Sequence, residues 1–195
     1  MICNILRRLA TTTFAATAFL ASASLLQAQS FATAARTVSI SAFAGASRVN
    51  TDYGSTNAGY LFGADFTRHY HLVDPSLEVR ATIAPGSSIG EKTFSGGLRL
   101  QKRFHRFQPY ADLLAGAGSI TFNHPTVVNG IPYASDNSFI YVFGGGMDYY
   151  VTRNFAVKAD YNQQLWRLGQ NLNRLTPSAL TIGIVYRIPF HPYNR

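Results

Sequence analysis

Few residues in this 195-residue chain have the types and spacing that chemistry requires. His69 and His71 stand two apart on one face of an extended segment and could share a metal, but Arg68 adjoins them, and a pair in a turn near lipid headgroups is the competing role. Glu91, His124, Ser135 and Asp136 supply the acid, base and hydroxyl of a hydrolase, yet no spacing among them demands an assembled site. Gly144-Gly145-Gly146 lacks the Lys-Ser/Thr and following helix of a phosphate loop, and reads as close backbone approach or a bulge within a strand. No residue is therefore assigned a catalytic, metal-binding or cofactor-binding role. What remains is a series of charges placed at alternate positions in otherwise oily segments: Asp65, Glu78, Arg80, Arg99, Asp112, Asp148, Lys158, Asp160 and Arg187. Five acids and four bases on one enclosed face would have to pair, because a buried charge is tolerable only with a partner.

The elements that must position these charges follow from composition. The chain is 47% hydrophobic and only 13% charged, with 14 Phe, 11 Tyr and 16 Gly. Soluble domains carry about 25% charged residues, so there are too few to coat a soluble globule. Beyond the N-terminus no apolar run approaches the ~20 residues of a spanning helix. A single cysteine, Cys3, excludes a disulfide scaffold. Arg7 and Arg8, the apolar stretch Leu9 to Leu20 and the small residues after it have the layout of a secretory signal peptide. Cleavage is expected after Ala28, with Ala23 as the second choice and an uncleaved anchor over Leu9 to Leu26 as a third reading. The domain division is thus a signal peptide over 1–28 and a barrel domain over 29–195. Losing Arg7 and Arg8 lowers the net charge of +8 by two, to +6, and removes Cys3.

From Arg36 onward apolar residues recur at every second position, predicting strands over 37–48, 58–68, 76–84, 93–103, 108–119, 138–151, 155–165 and 178–189. Long polar connections are expected at 49–57, 85–92, 120–137 and 166–177, and short turns at 69–75, 104–107 and 152–154, the alternation of an outer-membrane barrel. One face of each strand is oily: Leu77, Val79, Ala81 and Ile83 alternate with Glu78, Arg80 and Thr82. In a soluble lipocalin-like barrel the oily face would fill the interior and leave one or two charges per strand for water. Turned to lipid, the same face suits a closed barrel, which leaves no unpaired edge in hydrocarbon. The fold class is all-β, a transmembrane eight-stranded antiparallel up-and-down β-barrel. Tyr60, Phe62, Phe66, Phe104, Phe107, Phe139, Tyr149, Tyr150, Phe155, Tyr161 and Trp166 are expected to form its aromatic girdles.

Several segments carry a family resemblance. Phe107-Gln-Pro-Tyr-Ala-Asp-Leu-Leu-Ala-Gly-Ala-Gly118, the run from Gly144 through Met147-Asp-Tyr-Tyr-Val-Thr-Arg-Asn-Phe to Tyr161, and Val38-Ser-Ile-Ser-Ala-Phe-Ala-Gly45 resemble strands of OmpA-type, opacity-protein-like eight-stranded outer-membrane barrels. Near the end, Thr181, Gly183, Tyr186 and Ile188 resemble the family's barrel-assembly signal, departing from it in Ile188, where an aromatic is usual, and in five residues past Phe190. The resemblance implies a bacterial outer-membrane location and the barrel-assembly machinery as a partner. A cell-wall-binding domain, which some relatives append, is not expected after Arg195.

The functional expectation is an integral outer-membrane barrel with a salt-bridge-plugged interior and an envelope-structural or surface-contact role through its loops. The alternatives are a narrow solute channel and a lipid A-modifying barrel enzyme. Arg48, Lys92, Arg167 and Arg174 near the long connections, with Arg68, Lys102, Arg103, Arg106 and Arg153 near the short turns, make both rims basic and suited to lipid phosphates, lipopolysaccharide included. A monomer is expected, with no cofactor and no nucleic-acid partner. Finally, setting Asp148 opposite Lys158 leaves Thr152-Arg153-Asn154 as a three-residue loop with Asn154 as its left-handed residue.

Overall fold

In a computed structural model of the chain, residues 38–128, 131–168 and 173–189 are described; the segment 1–28, read above as a signal peptide, lies outside them. The strands are β1 (Val38–Asn50), β2 (Thr56–Arg68), β3 (Asp74–Ala84), β4 (Ile89–Gln101), β5 (Phe107–Val128), β6 (Ile131–Tyr150), β7 (Phe155–Leu168), β8 (Asn173–Leu175) and β9 (Ser178–Arg187). Each pairs antiparallel with its neighbour, and the β6–β7 and β9–β1 ladders close the sheet on itself. β8 and β9 both pair with β7 and make one stave interrupted at Thr176-Pro177, so the barrel has eight staves and no open edge across the membrane.

The pleat turns the sequence inside out relative to a soluble protein. Leu77, Val79, Leu98, Leu113, Ile182 and Ile184 are exposed on the outer wall, whereas Glu78, Arg80, Arg99, Asp148, Lys158 and Asp160 are buried within it. Side chains alternate strictly along a strand, so one register decision on each ladder fixes the whole arrangement. The Asp148↔Lys158 pairing, which parity allows and the opposite charges favour, is present, and the ladder continues to Tyr150↔Ala156.

The connections differ from expectation. The polar stretch 120–137 is largely strand: β5 runs to Val128 and β6 starts at Ile131, paired through Val128↔Ile131 after a register shift between Thr121 and Thr126. Residues 166–177 likewise contribute the end of β7 and all of β8. Polar side chains do not oppose strand where the ladder stands in water, which is why hydropathy ended these strands early. The β5–β6 hairpin carries the longest strands and lies at the end opposite the short turns at 69–73, 102–106 and 151–154; by the general rule that outer-membrane barrels have long outer connections and short periplasmic turns, these ends are called outer and periplasmic. In the last of these turns Asn154 is not left-handed. The left-handed non-glycine residues among those described are Asp52 and His105, while the 151–154 turn is closed by the Val151 and Thr152 N–H groups donating to the Phe155 carbonyl.

Candidate functional site in the barrel lumen

The lumen is the most chemically loaded part of the described molecule. Glu78 and Arg80 on β3 are two residues apart on the inward face, and Arg80 Nε donates to Glu78 Oε1 at 2.6 Å. Arg80 also donates from Nη2 to Asp112 of β5 at 2.8 Å and from Nη1 to Asp160 of β7 at 3.3 Å. Its guanidinium therefore ties three staves across the interior. Arg99 on β4 donates to Glu78 Oε2 at 3.3 Å and to Asp148 Oδ2 on β6 at 2.5 Å. Lys158 Nζ lies 3.6 Å from Asp148 Oδ1.

Seven of the nine lumen charges anticipated from sequence thus join one connected network: Glu78, Arg80, Arg99, Asp112, Asp148, Lys158 and Asp160. Asp65 is buried and, among the described residues, accepts from the Thr67 hydroxyl at 2.9 Å and makes no ion pair. Arg187 stands apart, on Gln108 and the Tyr150 hydroxyl.

Small residues opposite the long cations make this packing possible. Arg80 faces Gly63 across one ladder and Ser95 across the other, and Lys158 faces Gly183. Aromatic side chains fill what remains. The Arg99 guanidinium lies 3.6 Å from the Tyr110 ring centroid, Lys158 Nζ lies 4.1 Å from the same ring and 4.6 Å from that of Phe43, and the Tyr110 hydroxyl donates to Asp160 at 2.7 Å. A cation with both a carboxylate and ring faces around it needs no water. Gly146 is the cradle for Tyr110, since a Cβ there would lie 2.5 Å from the hydroxyl oxygen, so within the glycine run at 144–146 close approach is the reason, without a bulge.

Toward the outer end the lumen changes character. Ile89, Leu114, Ile120, Ile140, Val142 and Trp166 form a buried apolar cluster. Trp166 is fully enclosed, its Nε1 donating to Gln164 Oε1 at 2.9 Å and its ring lying where a Cβ on Gly118 would come within 2.2 Å. This corrects the girdle assignment for Trp166, and Tyr150, also buried, is corrected in the same way. Both have the parity of inward neighbours, Gln164 and Asp148, and that parity was the signal available for placing them. The other nine girdle aromatics are exposed on the outer wall.

Of the remaining candidates, Glu91 on β4 and Asp136 on β6 lie at one level of the barrel, both opposite Ile120 of β5. Glu91 points into the lumen with neither carboxylate oxygen hydrogen-bonded, whereas Ser135 lies exposed on β6, and the side chain of His124 is outside the described residues. Asp136 opposes Ile120 on β5. His69 bonds Ser39 Oγ at 3.0 Å and lies 3.4 Å from Asp74, while His71 is exposed with its carbonyl accepting from Lys102. Among the described residues no group of three or more His, Cys, Asp or Glu is placed to hold a metal. Of the assembly-signal residues, Thr181 is inward and hydrogen-bonded to Ser47 at 2.7 Å, and Gly183 opposes Gly45. Tyr186 and Ile188 face outward, Tyr186 packing on Phe155 at 4.8 Å between centroids.

The model of the outer membrane protein beta-barrel domain matches residues 13–187. Among solved structures, the chain is similar to Neisserial surface protein A, at 16% identity and a TM-score of 0.51 over 78% of this chain and 97% of that one. It is also similar to Ail, the attachment invasion locus protein of Yersinia pestis, at 19% identity and a TM-score of 0.52 over 77% of this chain and 97% of that one. At such identities the likeness is one of fold. No curated protein matches the chain in sequence.

Proposed function

The chain belongs to the outer membrane protein beta-barrel domain family and is a bacterial outer-membrane β-barrel protein, and on that premise we propose that it is a closed, non-conducting barrel that serves the envelope as structure and as a surface-contact platform. The observation that carries the proposal is the lumen's occlusion by two layers in series. The ion-pair network spans β3, β4, β5, β6 and β7, and the apolar cluster around Trp166 and Leu114 lies outward of it. A hydrated ion would have to break salt bridges in the first layer and shed water in the second. Eight staves enclose only enough room for side chains, which agrees with both.

The contact role rests on the β5–β6 hairpin, whose ladder continues to Val128↔Ile131, well beyond the last β4–β5 pair at Ile89↔Phe122. A paired ribbon held by a rigid barrel presents side chains at a fixed distance from the membrane. In this reading the barrel is a monomer inserted by the barrel-assembly machinery, and its basic rims engage lipid phosphates. It is not an enzyme: Ser135, exposed on the outer face of β6, and Glu91, buried within the lumen, lie on opposite faces of the wall, which supports that part of the reading. Proteoliposome swelling in an isosmotic pentose tests the closed lumen, with no swelling above empty liposomes expected and sustained swelling pointing to the channel instead. Mass spectrometry of lipid A from cells with and without the protein tests the rest. Identical spectra are expected, and a loss of acyl chains would replace the proposal with an enzymatic one.

A further inference from the structure

At the periplasmic mouth the charge balance of the lumen fails. Arg187, at the end of β9, donates from Nη2 to the Tyr150 hydroxyl at 2.7 Å and to Gln108 Oε1 at 3.2 Å, and its buried Nε has no hydrogen-bond partner. Arg103, in the β4–β5 turn, places its guanidinium carbon 4.2 Å from the centroid of the same Tyr150 ring, against 4.7 Å for Arg187. Arg103 Nε is taken by the His105 carbonyl at 3.0 Å, a contact made within the turn where His105 is left-handed. Among the described residues its terminal nitrogens have no hydrogen-bond partner. Among the described residues no carboxylate forms an ion pair with either guanidinium.

Two like charges on one ring, with neutral partners only, is an arrangement that calls for an anion. Burial and the neighbouring Arg187 both lower the Arg103 pKa from its ordinary value, as expected for a cation that lacks a counter-charge. The surroundings strengthen the field. Arg68, Lys102, Arg106 and Arg153 stand at the same end, while Asp74 there is buried and occupied by His69 and the Tyr70 N–H. None of the residues that close the lumen takes part, so this mouth is separate from the plug.

We propose that Arg103 and Arg187, braced on Tyr150, form a binding site at the periplasmic mouth for a phosphate-bearing anion. A phosphate offers several oxygens to two guanidinium forks at once, and the rigid planar donors suit it better than lysine would. The group is supplied either by the headgroup of an anionic phospholipid in the inner leaflet or by a soluble phosphate. Phe104 and Phe107, both exposed beside the turn, would receive acyl chains in the first case.

The test has two arms, both on the folded protein. In zwitterionic detergent, inorganic phosphate is titrated calorimetrically; in nanodiscs of phosphatidylcholine with a small fraction of phosphatidylglycerol, the lipids retained on release are counted by native mass spectrometry. Saturable binding is expected in at least one arm, and the arm that shows it identifies the source. Arg103→Gln together with Arg187→Gln should weaken that binding at least about tenfold, while Arg48→Gln, exposed near the opposite end of β1, should leave it unchanged. Heat-dependent gel mobility checks that each variant is folded. If the double variant does not fold, Arg103→Gln alone, which alters no strand residue, carries the comparison. Absence of saturable binding in both arms, or binding that the folded arginine variants and Arg48→Gln affect equally, would overturn the site.

Discussion

Asp148 and Lys158 are Cα partners across the β6–β7 ladder, and their charged groups meet at 3.6 Å with the Lys158 side chain fully enclosed. The same carboxylate receives Arg99 at 2.5 Å, so Asp148 holds two cations, one from β4 and one from β7. Lys158 Nζ makes no hydrogen bond and depends on that carboxylate and on the rings of Tyr110 and Phe43.

A double-mutant cycle follows directly. Asp148→Ala leaves Arg99 and Lys158 without their shared anion and should cost about 3–5 kcal/mol, the usual loss when one partner of a buried pair is removed. Lys158→Ala should cost less, because Arg99 still neutralises Asp148. The two changes together should cost less than their sum, and unfolding in urea from lipid vesicles measures the difference. A coupling energy of zero would mean that the pair adds nothing to the lumen.

Lipid exposure separates the two faces of the wall. Leu98 and Ile184 are 58% and 60% exposed, and arginine at either should destabilise the bilayer-inserted barrel by about 2–4 kcal/mol if the site is near the midplane. Thr82→Arg, on the inner face of β3, escapes that lipid penalty and meets only crowding within the lumen. Folding yield into vesicles, compared across the three variants and Ser55→Arg in an outer connection, reads the contrast.

The apolar layer has its own control point at Gly118. A methyl there would lie 2.2 Å from Trp166 Cη2, so Gly118→Ala must displace the indole, and overpacking of this kind costs about 1–3 kcal/mol. The shift should appear as a changed Trp166 fluorescence maximum together with lower stability. An unchanged spectrum would show that the indole does not rest on Gly118.

Much of this was legible in the sequence because a barrel wall is a two-letter code. Glu78, Arg80 and Thr82 declare the inner face of β3 by alternation alone, and the parity of Asp148 and Lys158 limits the β6–β7 register to even sums, among which their opposite charges choose. Two features were harder to read. Where β5 and β6 leave the membrane, Asn, Ser and Asp replace the oily residues, and the hydropathy signal for strand vanishes although the backbone ladder continues. Trp166 and Tyr150 look like interface aromatics by type, but position on the inward face outweighs type. The split of the nine charges also needed three dimensions. Nothing in a strand pattern tells that Asp65 stops at Thr67, or that Arg187 turns to Tyr150 rather than to a carboxylate.

The extended hairpin gives a topological test. A short epitope tag inserted between Val128 and Ile131 should be tolerated and should bind antibody on intact cells, while a tag at Thr152-Arg153 should be detected only after the outer membrane is permeabilised. Detection in the opposite order would invert the barrel.

The central claim is that the ion-pair network closes the lumen, and single-channel conductance of the refolded protein in planar bilayers tests it most directly. Arg80 is the residue to change, since it alone joins Glu78, Asp112 and Asp160. The wild-type barrel and a Trp166→Ala barrel, in which the network still stands, should be electrically silent, whereas Arg80→Ala combined with Trp166→Ala, which leaves Asp112 and Asp160 without Arg80 and opens the apolar layer as well, should show cation-selective openings. Stepwise currents from the wild-type or the folded Trp166→Ala protein, or a folded double variant as silent as the wild type, would contradict the claim.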